Sequence, residues 1–275
     1  MNDSRLNVDV TASLSMFMIC FIWGVQQAAI KSIADQIAPV LQIGGRSFLA
    51  ALMVWIMMTL KKNSLKQSKD YLISGVVVGT LFALEFLFVA EGLRYTTASH
   101  MTVFLYTAPI FAAIGLQLFN KHETLAKMQW FGIGIAFCGI AVAFFSRDEA
   151  NTNLQDMLIG DIMALFAGLL WGATTVVLKA SPQRHQSPSR VLLYQLVVSA
   201  LILPLLSWLM GEPGITQLTS PVIGSLLFQT VLMAFAGYLA WFWLLSHYPA
   251  SKIASFTFLT PLFGVMFAWL ILDEQ

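Results

Sequence analysis

The chain has 275 residues, 58% of them apolar and only 11% charged, and its formal net charge is +1. Soluble domains carry roughly a quarter charged residues, so this composition excludes an ordinary soluble fold. A near-neutral charge without a basic stripe excludes a nucleic-acid partner.

Apolar runs predict helices at 13–33, 40–60, 71–93, 98–119, 127–145, 157–179, 190–209, 222–246 and 251–272, each near the roughly 20 residues that cross the hydrocarbon of a bilayer. The first eleven residues are polar, and no small-residue cleavage pattern follows, so the first span is expected to stay in the membrane. Pro39, Pro188 and Pro249 fall near helix starts, where a missing N–H costs little. Pro109, Pro204 and Pro261 fall inside spans and favour kinks. Cys20 and Cys138 lie within apolar runs and read as buried small hydrophobes rather than a disulfide or metal pair.

Lys and Arg collect on one side if the amino terminus is inside. The inner segments then hold Arg5, Lys61, Lys62, Lys66, Lys69, Lys121, Lys127, Lys179, Arg184, Arg190 and Lys252. The outer segments keep Lys31, Arg94 and Arg147, together with the acidic group Asp148, Glu149 and Asp156. The polar stretch Ser146–Asp156 reads as a linker between halves.

The two halves share a pattern. Trp23-Gly24 is followed by Lys31, and Trp171-Gly172, 148 residues on, is followed at the same spacing by Lys179. Such a duplication predicts a first repeat of five helices over 13–146 and a second over 157–275. An odd number of spans per unit makes the second copy run the opposite way, the plan of many secondary transporters. His122-Glu123 precedes a further span in the first half, whereas Asp273-Glu274-Gln275 stands where the sequence ends. A tenth helix is therefore expected to be missing, as in a fragment. The fold class is an all-α integral membrane protein of two inverted five-helix repeats, a ten-span plan with nine spans present.

These features resemble the EamA-type branch of the drug/metabolite transporter superfamily. Leu93-Arg94-Tyr95-Thr96-Thr97-Ala98-Ser99, with its echo Ser246-His247-Tyr248-Pro249-Ala250-Ser251, resembles the family's junction between third and fourth helices. Thr107-Ala108-Pro109 and Leu259-Thr260-Pro261 resemble its mid-helix proline, and Asn120-Lys121-His122-Glu123 and Leu272-Asp273-Glu274 its acidic turn before each final helix. The resemblance implies a secondary carrier of the inner membrane, many of whose relatives export amino acids, related metabolites or drugs, without ATP or a prosthetic group. The partners implied are a small-molecule substrate and the lipid bilayer, with the proton as a candidate coupling ion. No metal, cofactor or catalytic residue is expected.

Polar groups within spans are costly and mark pathways. Arg46 and Glu85 fall at similar depth, and two readings stay open: Arg46 serves a substrate carboxylate and Glu85 a proton or substrate amine, or the two form a static ion pair. Glu91 and His100 flank one turn, either as wetted interfacial groups or as a proton relay. Tyr106, Tyr194, Gln195, Tyr238 and Trp241 are candidates for lining a pocket. Trp23 and Trp171, each beside a Gly, are expected to serve close helix packing. Lys31 and Lys179 are expected at helix C-termini, neutralising carbonyls. Two alternatives are an importer or exchanger of phosphorylated or nucleotide-linked metabolites, and an intramembrane enzyme. The first needs more inward-facing Arg or Lys than Arg46. The second lacks any phosphate loop, Walker motif or His-Glu-x-x-His.

Overall fold

The computed structural model describes residues 8–62, 69–119, 131–132, 135, 139, 142, 153–248, 253 and 256–274. Their helices are α1 (Val10–Lys31), α2 (Pro39–Leu60), α3 (Lys69–Gly92), α4 (Ala98–Leu105), α5 (Ala108–Phe119), α6 (Leu154–Ala180), α7 (Pro188–Leu209), α8 (Ser220–Leu227), α9 (Tyr238–His247) and α10 (Leu259–Leu272). A π-helical stretch, Phe228–Gly237, joins α8 to α9. Among the described residues, seven stretches are long and apolar enough to cross a membrane: α1, α2, α3, Ala98–Leu118, α6, α7 and Ser220–Leu244. α10 is a shorter apolar helix. The span expected at 127–145 lies outside the described residues apart from isolated positions.

The bundle is arranged with its polarity reversed relative to a water-soluble protein. Leu201, Trp208, Leu262 and Trp269 stand exposed on helix surfaces, while Gln42, Arg46, Glu85, Asp161, Gln195 and Gln229 are buried. In water such apolar exposure would drive association. In lipid it is the stable arrangement, and each interior polar group then marks a place where helices face one another.

Local chemistry sets the helix ends. Asp9 caps α1, its Oδ1 accepting the amide of Ala12 at 2.8 Å, and Pro39 and Pro188 occupy first-turn positions of α2 and α7. Pro204 lies inside an unbroken α7, and its ring fits against Gly44, where a Cβ would stand 2.7 Å from it. The span expected as one helix over 98–119 is broken at Tyr106-Thr107. Pro109 has no N–H to offer the carbonyl of Leu105, and Thr107 Oγ1 donates instead to the carbonyl of Phe104 at 2.6 Å. A second turn at Thr257-Phe258 precedes α10, which carries Pro261. The span expected at 222–246 is likewise not uniform, because its middle is π-helical. Pro249 lies outside the described residues.

Side-chain contacts fix the direction of α1 against α6. Lys31, at the end of α1, donates to the carbonyl of Thr96 at 2.8 Å, and Thr96 Oγ1 donates to Asp161, in the second turn of α6, at 2.6 Å. Asp9, at the other end of α1, accepts from the Tyr248 hydroxyl at 3.2 Å. Trp23, eight residues before Lys31, meets Trp171, ten residues after Asp161, so α1 and α6 pass each other in opposite directions. Each presses its glycine against a proline-bearing helix from the other half of the chain. A Cβ on Gly24 would lie 2.4 Å from that of Phe263, and one on Gly172 would lie 2.7 Å from that of Phe111. Only glycine permits so close an approach.

Candidate functional site

Six aromatic rings, five from helices α1, α3, α6 and α9 and Tyr106 from the break between α4 and α5, follow one another through the middle of the bundle. Tyr106 lies 5.2 Å from Trp171, Trp171 lies 6.5 Å from Trp23, and Trp23 lies 5.5 Å from Tyr238, measured between ring centroids. Tyr238 is in turn 5.7 Å from Phe82, and Phe82 is 4.9 Å from Phe86. Most of these pairs meet edge to face, the arrangement the ring quadrupole favours. All six rings line one cavity, with Gln26, Leu105, Met233 and Glu85 completing its wall.

The cavity is small. Its volume is about 40 Å³, far below the roughly 300–1,000 Å³ of a pocket that encloses a drug-sized ligand. A metabolite enters only if the walls part.

Among the described residues of this wall, Glu85 is the charged one. It is 4% exposed, and its Oε2 has no hydrogen-bond partner among the described residues. Arg46 is 2% exposed and lies behind the wall rather than on it. Its guanidinium carbon sits 4.6 Å above the Phe86 ring, and Nη1 donates to Met233 Sδ at 3.6 Å. Arg46 and Glu85 are within electrostatic reach of each other, yet they form no direct ion pair. The static-pair reading of these residues therefore lacks its contact.

Tyr106 and Tyr238 lie on the cavity wall with Glu85. Trp241 stacks behind Trp23 with 5.5 Å between centroids, one layer from the cavity. Tyr194 and Gln195 are not among the lining residues: the Tyr194 ring covers Gly75, and Gln195 is buried on α7 with Oε1 unpaired. Trp23 and Trp171 do more than pack helices, since their rings meet at the cavity. Pro109 lies just beyond the break that places Tyr106, and Pro261 sits in the first turn of α10.

One end of the bundle is bridged by polar contacts that join residues before 120 to residues after 153. Lys31 pairs with Glu274 at 3.1 Å, and Glu274 also accepts the amides of Ala98 and Ser99 at 2.9 and 3.1 Å, capping α4. Arg94 is ion-paired with Glu212, and with Glu91 at 3.2 Å. His100 Nδ1 lies 3.1 Å from Oδ2 of Asp161, which is 0% exposed. Of the two groups flanking the turn, Glu91 turns to Arg94 and His100 crosses to α6. At the opposite end the Tyr248–Asp9 bond joins the two parts of the chain, with burial, and then the Asp9 carboxylate, holding the phenol above its ordinary pKa. Lys179 ends its helix exposed.

Asp161, Gln26 and Met233 are absent from the sequence-derived set. Asp161 carried a usable signal, a carboxylate inside the predicted span 157–179, the same signal that singled out Glu85. Gln26 and Met233 carried none, because their importance comes from neighbours distant in the chain.

A helical bundle with apolar faces outward and a small interior aromatic cavity holding a buried carboxylate defines a multi-pass membrane protein. The sequence profile of the EamA-like transporter family matches residues 10–145 and again 158–275. The chain belongs to that family. The uncharacterized transporter YoaV of Bacillus subtilis is 26% identical over 267 residues, covering 97% of this chain and 90% of that protein. A probable amino-acid metabolite efflux pump of Salmonella typhimurium is 25% identical over 268 residues, covering 94% of this chain and 85% of its own length. A protein of known crystal structure, 15% identical, superposes with a TM-score of 0.69 over 97% of this chain and 90% of that one, which places the two in the same fold.

Proposed function

We propose that the protein is a secondary exporter of amino acids or related small amphipathic metabolites and drugs. It works by alternating access between two inverted repeats, 13–146 and 157–275, built on a ten-span plan. The observation that carries this reading is the buried, unpartnered Glu85 on the wall of a central aromatic cavity, with Arg46 one layer behind. The efflux-pump relatives support the choice of cargo. Two charges of opposite sign at one depth suit the two ends of a zwitterion. In this state Phe86 and Met233 screen Arg46 from the cavity, and it meets a substrate carboxylate only in a state in which they have shifted. Glu85 serves as the coupling group when a proton is exchanged for solute, with His100 the first acceptor on the Lys31 face. The described cavity wall carries no Arg or Lys, so phosphorylated cargo is the poorer fit.

In this reading the protein lies in the inner membrane with its amino terminus in the cytoplasm, and the Lys31 end faces outward. The cross-chain contacts at the Lys31 and Asp9 ends open in turn, and their rearrangement is the access cycle. Inside-out vesicles from cells producing the full chain test the proposal. Labelled amino acids are expected to accumulate above the level of vesicles without the protein, and Glu85→Gln is expected to abolish the effect. No accumulation of any of the twenty amino acids or their toxic analogues, with insertion verified, would sink it.

A further inference from the structure

The cavity distinguishes the two ends of a solute, and we infer that it recognises the ammonium end: its ligand class is the small organic cation, a protonated amine or quaternary ammonium, and a free carboxylate is dispensable. The inference rests on the transport reading for its biological use and deepens it by naming what the site holds.

The residues argue for a cation directly. Glu85 is 4% exposed with Oε2 unpartnered, and an orphaned buried carboxylate is satisfied by a proton or by a cation. Trp23, Trp171, Tyr106 and Tyr238 surround the same space, and aromatic faces attract a desolvated cation. Trp23 contributes no competing acceptor, since indole is a donor only. An anion finds one donor, the Trp23 indole N–H, buried without a partner among the described residues, but otherwise meets the opposite conditions. Among the described residues the cation within reach is Arg46, and it is screened by the Phe86 ring at 4.6 Å and by Met233. An incoming carboxylate would lie among the electron-rich ring faces and against Glu85. Arg46 therefore offsets the charge of Glu85 from behind without occupying its cavity side, which is left for the ligand.

Size sets the probes. A cavity of about 40 Å³ admits a trimethylammonium group only if its walls shift, so small, rigid heads are the right ligands. Choline, its uncharged isostere 3,3-dimethylbutan-1-ol, and the anion 3,3-dimethylbutanoate differ mainly in charge. Titration calorimetry on the purified full chain in detergent is expected to show choline binding at least about tenfold tighter than either isostere. Glu85→Gln is expected to weaken choline at least about tenfold, with Glu85→Asp retaining most of the affinity and so separating charge from folding. Trp23→Leu is expected to weaken choline but not the alcohol. Equal binding of the three probes, tighter binding of the anion, or choline binding unchanged in Glu85→Gln overturns the inference.

The outcomes stay distinct from those of the transport test. Choline bound through Glu85 by a protein that moves no solute in vesicles leaves this inference standing and removes the exporter. Amino-acid uptake by a protein indifferent to choline does the reverse.

Discussion

Replacing Asp161 by Asn changes one oxygen for an amide and leaves the side-chain volume in place. In the structure this carboxylate is 0% exposed and is held by Thr96 Oγ1 at 2.6 Å and His100 Nδ1 at 3.1 Å. Hydrogen bonds to a charged group contribute about 1.5–3 kcal/mol, and Asn keeps an acceptor for one partner only. Asp161→Asn should therefore weaken the clasp at the Lys31 end by about 1.5–3 kcal/mol, a factor of roughly 10 to 150 in the population open at that end. A cysteine at Gln26, on the cavity wall and buried in this state, reports the opening. In a Cys20→Ala, Cys138→Ala background, the rate of labelling by an impermeant maleimide added from the Lys31 side should rise by about tenfold or more. A labelling rate within twofold of the parent, with thermal stability lowered, would refute the reasoning, because the contact would then serve folding rather than access.

Further tests follow from the same geometry. Gly172→Val drives a side chain into Phe111 from 2.7 Å and should cost about 1–3 kcal/mol, read as a lower midpoint of thermal unfolding in detergent; a parental midpoint contradicts the packing. Lys31→Gln combined with Glu274→Gln should show a coupling of about 1 kcal/mol or less in a double-mutant cycle, since Lys31 is partly exposed; coupling well above that would mean a drier contact than the structure shows. Tyr248→Phe removes the bond to Asp9, should cost about 0.5–1.5 kcal/mol, and should speed labelling of the Gln26 cysteine from the Asp9 side only. Equal acceleration from both sides would count against separate clasps.

Much of the architecture was written in the chain. Twenty-residue apolar runs permit only helices in lipid, because every backbone group must be satisfied within its own segment. Prolines at positions 39 and 188 mark helix starts for the same backbone reason, and Trp-Gly with a later Lys marks two related helices. Arg46 and Glu85 stood out because a charge inside an apolar span is too costly to be incidental. Periodicity and depth end there. They give the height of a side chain in the membrane, but not which way its helix is rotated or which helix it faces. Hence Glu91 and His100, neighbours in sequence and alike in depth, part company: His100 finds Asp161 sixty-one residues away, and Glu91 turns back to Arg94. Tyr194 and Gln195 share the composition of pocket residues but lie on a face of α7 that does not line the cavity. The meeting of Trp23 with Trp171, and the chamber the two rings enclose with Glu85, arise from the packing of distant segments, with Gly24 seated against Phe263 and Gly172 against Phe111. That contact is a property of packing, and no single segment encodes it.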